Sequence, residues 1–156
     1  MRVGLGSDHR GRAQKDAAAA WLRSHGHEAV DFGVNAEGPV DYPDYAFPVA
    51  ERVSRGELDR GVLVCDTGIG MAIAANKVPG VRAAVVTDPA VARRTRQHND
   101  SNILVLAAES TPPENVGPLL EAFLEAHYEG GRHDRRLAKI HEYELRHTAL
   151  GETGRP

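Results

Sequence analysis

Gly61-Val62-Leu63-Val64-Cys65-Asp66-Thr67-Gly68-Ile69-Gly70 is the stretch whose pattern decides the fold. Its first five residues form a short apolar run with no polar alternation, the pattern of a strand covered on both faces. Gly68-Ile69-Gly70 then opens a helix-compatible run that continues through Ala75. A strand that feeds a helix through a glycine turn is the repeating unit of a parallel α/β sheet.

The same unit recurs on either side. Val3–Gly6 reads as a first strand ending in Ser7-Asp8-His9-Arg10-Gly11. Residues 12–25 read as a helix with an apolar stripe of Ala13, Ala17, Ala20, Trp21 and Leu22, stopped by Gly26. Glu28–Phe32 is a second strand, followed by a Gly/Pro/Asp-rich loop from Gly33 to Asp44 and a helix over Ala46–Arg55. Val81–Thr87 is a fourth strand, and Pro89 suits the first turn of a helix running to Gln97. Ile103–Ala107 is a fifth strand. Two closing helices, 113–128 and 134–147, are separated by Gly130-Gly131. The expected fold is therefore α/β: a Rossmann-like, doubly wound, five-stranded parallel sheet with helices on both faces, in three layers. Residues 1–150 form a single domain, and the polar tail ending in 151–156 is expected to fray from Thr148 onward. Ligands of such sheets bind at the carboxyl ends of the strands. Asp8-His9, Cys65–Gly70 and the loop near His98 are all expected there.

Composition narrows the function classes. With 156 residues there is room for one domain with a real core. The formal net charge of −3 gives no global attraction to nucleic acid or an anionic membrane, so no partner of either kind is expected. No apolar run approaches the roughly 20 residues that span a bilayer, and Met1–Gly6 runs into a strand rather than a signal peptide. Cys65 is the only cysteine, which rules out an intramolecular disulfide and fits a reducing cytoplasm. Eight histidines are the unusual item of the composition.

Three segments carry chemistry. In Cys65–Gly70, a strand entering Gly-x-Gly and a helix gathers backbone N–H groups around one small volume, which stabilises negative charge. A thiol beside them has its thiolate favoured; the alternative is a tight turn after a buried, inert cysteine. The spacing matches neither the dinucleotide fingerprint nor a Walker loop. In Arg96-Gln97-His98-Asn99-Asp100, His98 is either an acid–base group or a surface histidine at a helix end. In Gly130-Gly131-Arg132-His133-Asp134-Arg135-Arg136, a helix would put Arg132 and Arg136 on one face, suited to a phosphate or carboxylate, or simply solvated. No grouping has metal-ligand spacing; His25 and His27 are a lone pair, and His127, His141 and His147 read as surface or packing residues.

Together, these segments resemble the type B ribose-5-phosphate isomerases and the related galactose-6-phosphate isomerase subunits. The matching stretches are Gly6-Ser7-Asp8-His9-x-Gly11, Asp41-Tyr42-Pro43-Asp44-Tyr45-Ala46, Cys65-x-Thr67-Gly68-Ile69-Gly70, Ile73–Lys77 with Pro79–Ala83, Arg96–Asp100, and Tyr128–His133. The resemblance covers residues 3 to about 147 in the family's order and spacing. It implies an aldose–ketose isomerase acting on a phosphorylated sugar through a cis-enediolate, with ribose 5-phosphate to ribulose 5-phosphate of the pentose phosphate pathway as the favoured reaction. Cys65 is similar to the thiol base of the cysteine-containing subgroup; the other subgroup has Glu where Met71 stands. Thr67 matches the hydroxyl that assists proton movement, and the backbone of Gly68, Ile69, Gly70 and Met71 the anion hole. His98 matches the ring-opening residue, with Asp8 as its counterpart and Asn99 as a substrate ligand. His9, Arg132 and Arg136 match phosphate contacts, and Tyr42 a residue lining the site. The resemblance implies no metal and no organic cofactor. It implies a homodimer or tetramer with the site between subunits.

Two residues depart from the family pattern. Asp66 stands where Gly is common, and Glu109 stands where Arg is usual. An anion a few ångströms from a phosphate costs on the order of a kilocalorie per mole or more. Either the Glu109 loop turns away, or the sugar is another pentose, a tetrose or a hexose phosphate. A non-catalytic sugar-phosphate binding subunit is the reading from a different class.

Overall fold

A computed structural model of the chain describes residues 1–34 and 38–151. Residues 35–37 of the expected Gly33–Asp44 loop, and 152–156 of the expected tail, lie outside the described residues. Five parallel strands, β1 (Arg2–Ser7), β2 (Glu28–Asp31), β3 (Arg60–Cys65), β4 (Ala83–Val85) and β5 (Ile103–Ala107), lie in the order β2-β1-β3-β5-β4. The helices are α1 (Arg12–Ser24), α2 (Pro43–Ser54), α3 (Ile69–Ala75), α4 (Pro89–Asn99), α5 (Val116–Glu125) and α6 (Asp134–Gly151), with 3₁₀ turns at Pro113–Asn115 and Gly131–His133.

The unalternated strands have the physical cause the sequence suggests. Val62, Val64, Leu104 and Leu106 pack on one face against α1, α4 and α5, through residues such as Leu22, Ala92, Leu120 and Phe123. Leu63, Cys65, Ile103 and Val105 pack on the other face against α2 and α3, through Val49, Ala50, Met71 and Ala75. Each such fully buried Val or Leu contributes roughly 1.5–3 kcal/mol. Helix α2 can lie close to the sheet because Gly4, Gly6 and Gly61 face it. A Cβ on Gly6 would sit 2.7 Å from the Tyr45 carbonyl oxygen, and one on Gly61 would sit 2.9 Å from Val49. The close approach brings the start of α2, with Tyr42, to the carboxyl end of β3. Since β2 and β3 flank β1 on opposite sides, the strand order reverses at β1/β3, and a crevice opens there.

Several expected details are corrected. The buried face of α1 is Gln14, Lys15, Ala18, Ala19 and Leu22, whereas Ala13 and Ala20 are exposed. Gln14 is held by donating to the carbonyls of Ala108 and Thr111. Helix α2 begins at Pro43 rather than Ala46, since proline needs no N–H partner in a first turn. Strand β4 is three residues, not seven, because Gly80 turns the chain at φ 79° and the Arg82 N–H is taken by the Asn102 side chain. The helix expected over 113–128 is the 3₁₀ turn and α5, and the chain extends at Ala126. Helix α6 runs to Gly151 rather than ending at 147.

Candidate active site

The crevice at the carboxyl edge is built from three segments. After β1, Asp8 is buried and its Oδ1 accepts from the N–H groups of Arg10 and Gly11 at 2.9 and 3.1 Å. That shapes the loop ahead of α1 and leaves His9 exposed, with its Nδ1 accepting from the Val40 N–H at 3.3 Å. After β3, Cys65 is 5% exposed and lies in the cluster shared with Met71, Ala74 and Ala46. Gly68 takes φ 74° as the residue before α3, the left-handed conformation that glycine adopts without strain. The Thr67 hydroxyl accepts from the Ile69 N–H at 3.3 Å. Helix geometry leaves the N–H groups of Gly70 and Met71 without carbonyl acceptors, so these donors remain for an anion beside Cys65. From α2, the Tyr42 ring closes over Gly70, where a Cβ would meet its ring carbons at 2.9–3.1 Å. The crevice is open to solvent: Tyr42 is 38% and Ile69 58% exposed.

The two departures from the family pattern meet at this rim. The Glu109 N–H donates to the Asp66 carbonyl at 3.0 Å, and the exposed Glu109 side chain stands beside that segment. Asp66 faces Arg10, with 3.7 Å between carboxylate and guanidinium. Both side chains are about half exposed, so the pair is weak.

His98, Asn99, Arg132 and Arg136 are elsewhere. Helix α4 runs back from the carboxyl edge, so its last turn lies at the amino edge, ahead of β5. This corrects the expected placement of the His98 loop. Cys65 pairs with Ala107 and Gly61 with Ile103, so the two edges are separated by roughly 13 Å of strand alone. Arg132 sits in the 3₁₀ turn and Arg136 in α6, so the two are not carried on one helix as expected. Asp100 is structural: it takes a left-handed φ of 46° and its carboxylate binds Arg96 at 2.6 Å and Arg82 at 2.9 Å.

The amino-edge cluster contains two residues that the sequence did not single out, His133 and Glu129. The His98 and His133 rings stack with centroids 4.4 Å apart and planes 15° from parallel. Glu129 Oε2 lies 3.8 Å from His98 Nε2, and the Glu129 N–H donates to the Gln97 carbonyl at 3.0 Å. Burial, followed by the positive neighbours His98, Arg132 and Arg136, lowers the His133 pKa, with Glu129 opposing. The spacing of His98, Glu129 and His133 would admit a divalent cation, with ligand atoms within 4.8 Å of one another. Two features oppose one. Near-parallel rings cannot both aim a lone pair at one ion, and His133 Nε2 already accepts from Arg132 Nε at 3.4 Å.

A groove of about 720 Å³ is in neither place. It lies between α6 and the α3–β4 connection, lined by Asn76, Lys77, Pro79, Ile140, Tyr143 and Glu144 among others. Its lining carries Lys77, Lys139, Glu144 and His147 but no thiol, whereas the carboxyl edge brings the Cys65 thiol beside main-chain donors. Chemistry rather than volume makes Cys65 the candidate site.

A sequence model of the ribose/galactose isomerase family matches residues 3–140. The ribose-5-phosphate isomerase B of Escherichia coli (strain K12) is 41% identical over 145 residues, 93% of this chain and 97% of that protein. The structure of ribose-5-phosphate isomerase B from Clostridium thermocellum superposes with a TM-score of 0.91 at 46% identity, covering 94% of this chain and 99% of that one. The enzyme of the same name from Mycoplasma genitalium, solved with bound ribulose 5-phosphate, gives a TM-score of 0.88 at 39% identity, covering 92% and 96%. No helix among the described residues is long and apolar enough to cross a membrane. The match in sequence over nearly the whole chain, and in fold over the same span, makes this chain a member of the ribose/galactose isomerase family.

Proposed function

We propose that the chain interconverts ribose 5-phosphate and ribulose 5-phosphate, by a proton transfer that uses no metal, in a site shared between two copies. The observation that carries the reading is Cys65 at the end of β3, adjoining main-chain donors from the turn at Gly68. The Cys65 thiolate takes the proton from the carbon beside the open-chain carbonyl, and the electron pair moves to the carbonyl oxygen as a cis-enediolate. The backbone of Gly68 to Met71 binds that oxygen, a contribution worth about 3–4 kcal/mol per well-placed donor. Thr67 shuttles a proton between the two oxygens, and the thiol returns its proton to the neighbouring carbon.

The remaining groups hold the sugar. His98 opens the ring with Asp8 as its counterpart, Asn99 binds a hydroxyl, and His9, Arg132 and Arg136 take the phosphate; Tyr42 walls the site. In one chain His98, Asn99, Arg132 and Arg136 lie at the opposite edge from Cys65, so a second copy supplies them. Homodimeric or tetrameric assembly is thus part of the proposal.

A second reading keeps the chemistry but changes the sugar, and Asp66 and Glu109 favour it. The two acidic side chains at the rim suit a hydroxyl-rich sugar end better than a phosphate. Comparing kcat/KM over four-, five- and six-carbon sugar phosphates separates the two; a rank for ribose 5-phosphate far below another substrate refutes the first. Deuterium exchange from solvent at carbon two tests both, since a pure binding protein shows none.

A further inference from the structure

The histidine beside His98 has no role in the reaction proposed above, yet it is among the most enclosed polar residues at the amino edge. His133 is 3% exposed, and a histidine buried to that degree is held by its neighbours. One face of its ring stacks on His98 at 4.4 Å. Its Nε2 accepts from Arg132 Nε at 3.4 Å, which fixes the neutral tautomer with the proton on Nδ1. The turn that carries it is itself braced. The Tyr128 hydroxyl donates to Asp134 at 2.8 Å, and the His133 N–H donates to the Gly130 carbonyl at 3.2 Å.

We infer that His133 is a positioning residue that sets two groups at once, holding the His98 imidazole by its ring face and the Arg132 guanidinium by its Nε2 lone pair. The inference rests on the reading of His98 as the ring-opening group and Arg132 as a phosphate contact. Protonation would undo both functions. A proton on Nε2 removes the acceptor from Arg132, and the resulting cation faces His98, Arg132 and Arg136, with Glu129 opposing. The lowered pKa keeps His133 neutral into mildly acidic solution. It therefore delays that loss and does not drive the chemistry.

The two contacts can be removed separately. His133→Phe keeps a ring to stack but has no lone pair for Arg132; His133→Ala loses both. With full-length protein and ribose 5-phosphate, H133F raises KM by about tenfold, the scale of one charge-assisted hydrogen bond, and leaves kcat within about threefold. H133A raises KM similarly and lowers kcat by about tenfold as well. A residue needed only for folding would reduce the yield of folded protein without this split, so KM and kcat both within twofold of wild type in soluble H133A overturn the inference. A second readout does not depend on turnover: the His98 ring-proton shift and titration, followed by NMR, change in H133A and persist in H133F. If the wild type fails to turn over ribose 5-phosphate while this coupling is present, the substrate reading falls and the positioning role stands. If the His98 resonance is the same in wild type and H133A, the positioning role is refuted whatever the activity.

Discussion

Replacing Gly70 with alanine separates the stability of the carboxyl-edge crevice from its use. The added Cβ would lie 2.9–3.1 Å from Cζ, Cε1 and Cε2 of Tyr42, against an ordinary carbon contact of about 3.5–4.0 Å. The ring has to give by up to about 1 Å, and it can, because these atoms are its outer end and Tyr42 is 38% exposed. If the swing returns about 40 Å² of ring to water, the cost is about 1 kcal/mol. Gly70 is within α3, where alanine is favoured over glycine by up to about 1 kcal/mol. The two effects nearly cancel, so Tm should shift by less than about 4 °C. The wall of the site, however, moves. kcat/KM on ribose 5-phosphate should fall by about tenfold, equivalent to about 1.4 kcal/mol. Thermal melts and steady-state kinetics on the same preparation test both halves. Unchanged kcat/KM shows that Tyr42 does not line the site, and a stability loss above about 3 kcal/mol shows that the ring cannot yield.

Cys65→Ala should lower kcat by about a thousandfold, the range of a positioned base, while the urea midpoint stays near that of wild type; near-full activity refutes the thiol's role. Asp100→Ala strips Arg96, whose side chain is 5% exposed, of its carboxylate. With Asp100 itself 34% exposed, the loss should be about 2 kcal/mol rather than the 3–5 of a fully buried pair. Asp100→Asn should lose about half as much by urea titration, since asparagine tolerates the left-handed φ. Acid should destabilise the fold through His133 and His27, whose pKa values are lowered. The unfolded chain takes up these protons below about pH 6.5 while the folded chain resists, so stability present above that pH is lost as the pH falls through the folded values. The urea midpoint should be lower at about pH 5.5 than at about pH 7.5, with a smaller drop in H133F; equal drops in the two proteins would remove His133 from the effect.

Much of the fold is legible because its strands are buried on both faces. Leu104-Val105-Leu106 and Val62-Leu63-Val64 have no polar position for a register to hide in. The face of α1 is illegible for the opposite reason. Alanines at 13 and 17–20 surround the helix, so the buried face is chosen by the tethers of Gln14 and by Lys15, which pairs with Asp31. The carboxyl-edge half of the site is readable because Cys65, Thr67 and Gly68 are consecutive to a strand. The amino-edge residues are named in the sequence but expected at the wrong edge: His98 lies in the last turn of α4, just ahead of β5, and a residue that precedes a strand meets it at its amino end. His133 carries a signal in retrospect: it sits in a tight Gly-Gly turn beside Arg132. Its stacking partner lies 35 positions earlier (98 to 133), beyond the reach of any local pattern.

Mixing two inactive variants tests whether thiol and imidazole meet on the sugar across two chains. Cys65→Ala and His98→Asn are each purified, unfolded together, refolded and assayed on ribose 5-phosphate. In a mixed dimer one site holds both lesions and the other holds an intact Cys65 from one chain and an intact His98 from its partner. Random pairing should restore about a quarter of wild-type activity. A mixture no more active than its components, although the two chains demonstrably pair, would contradict the shared site.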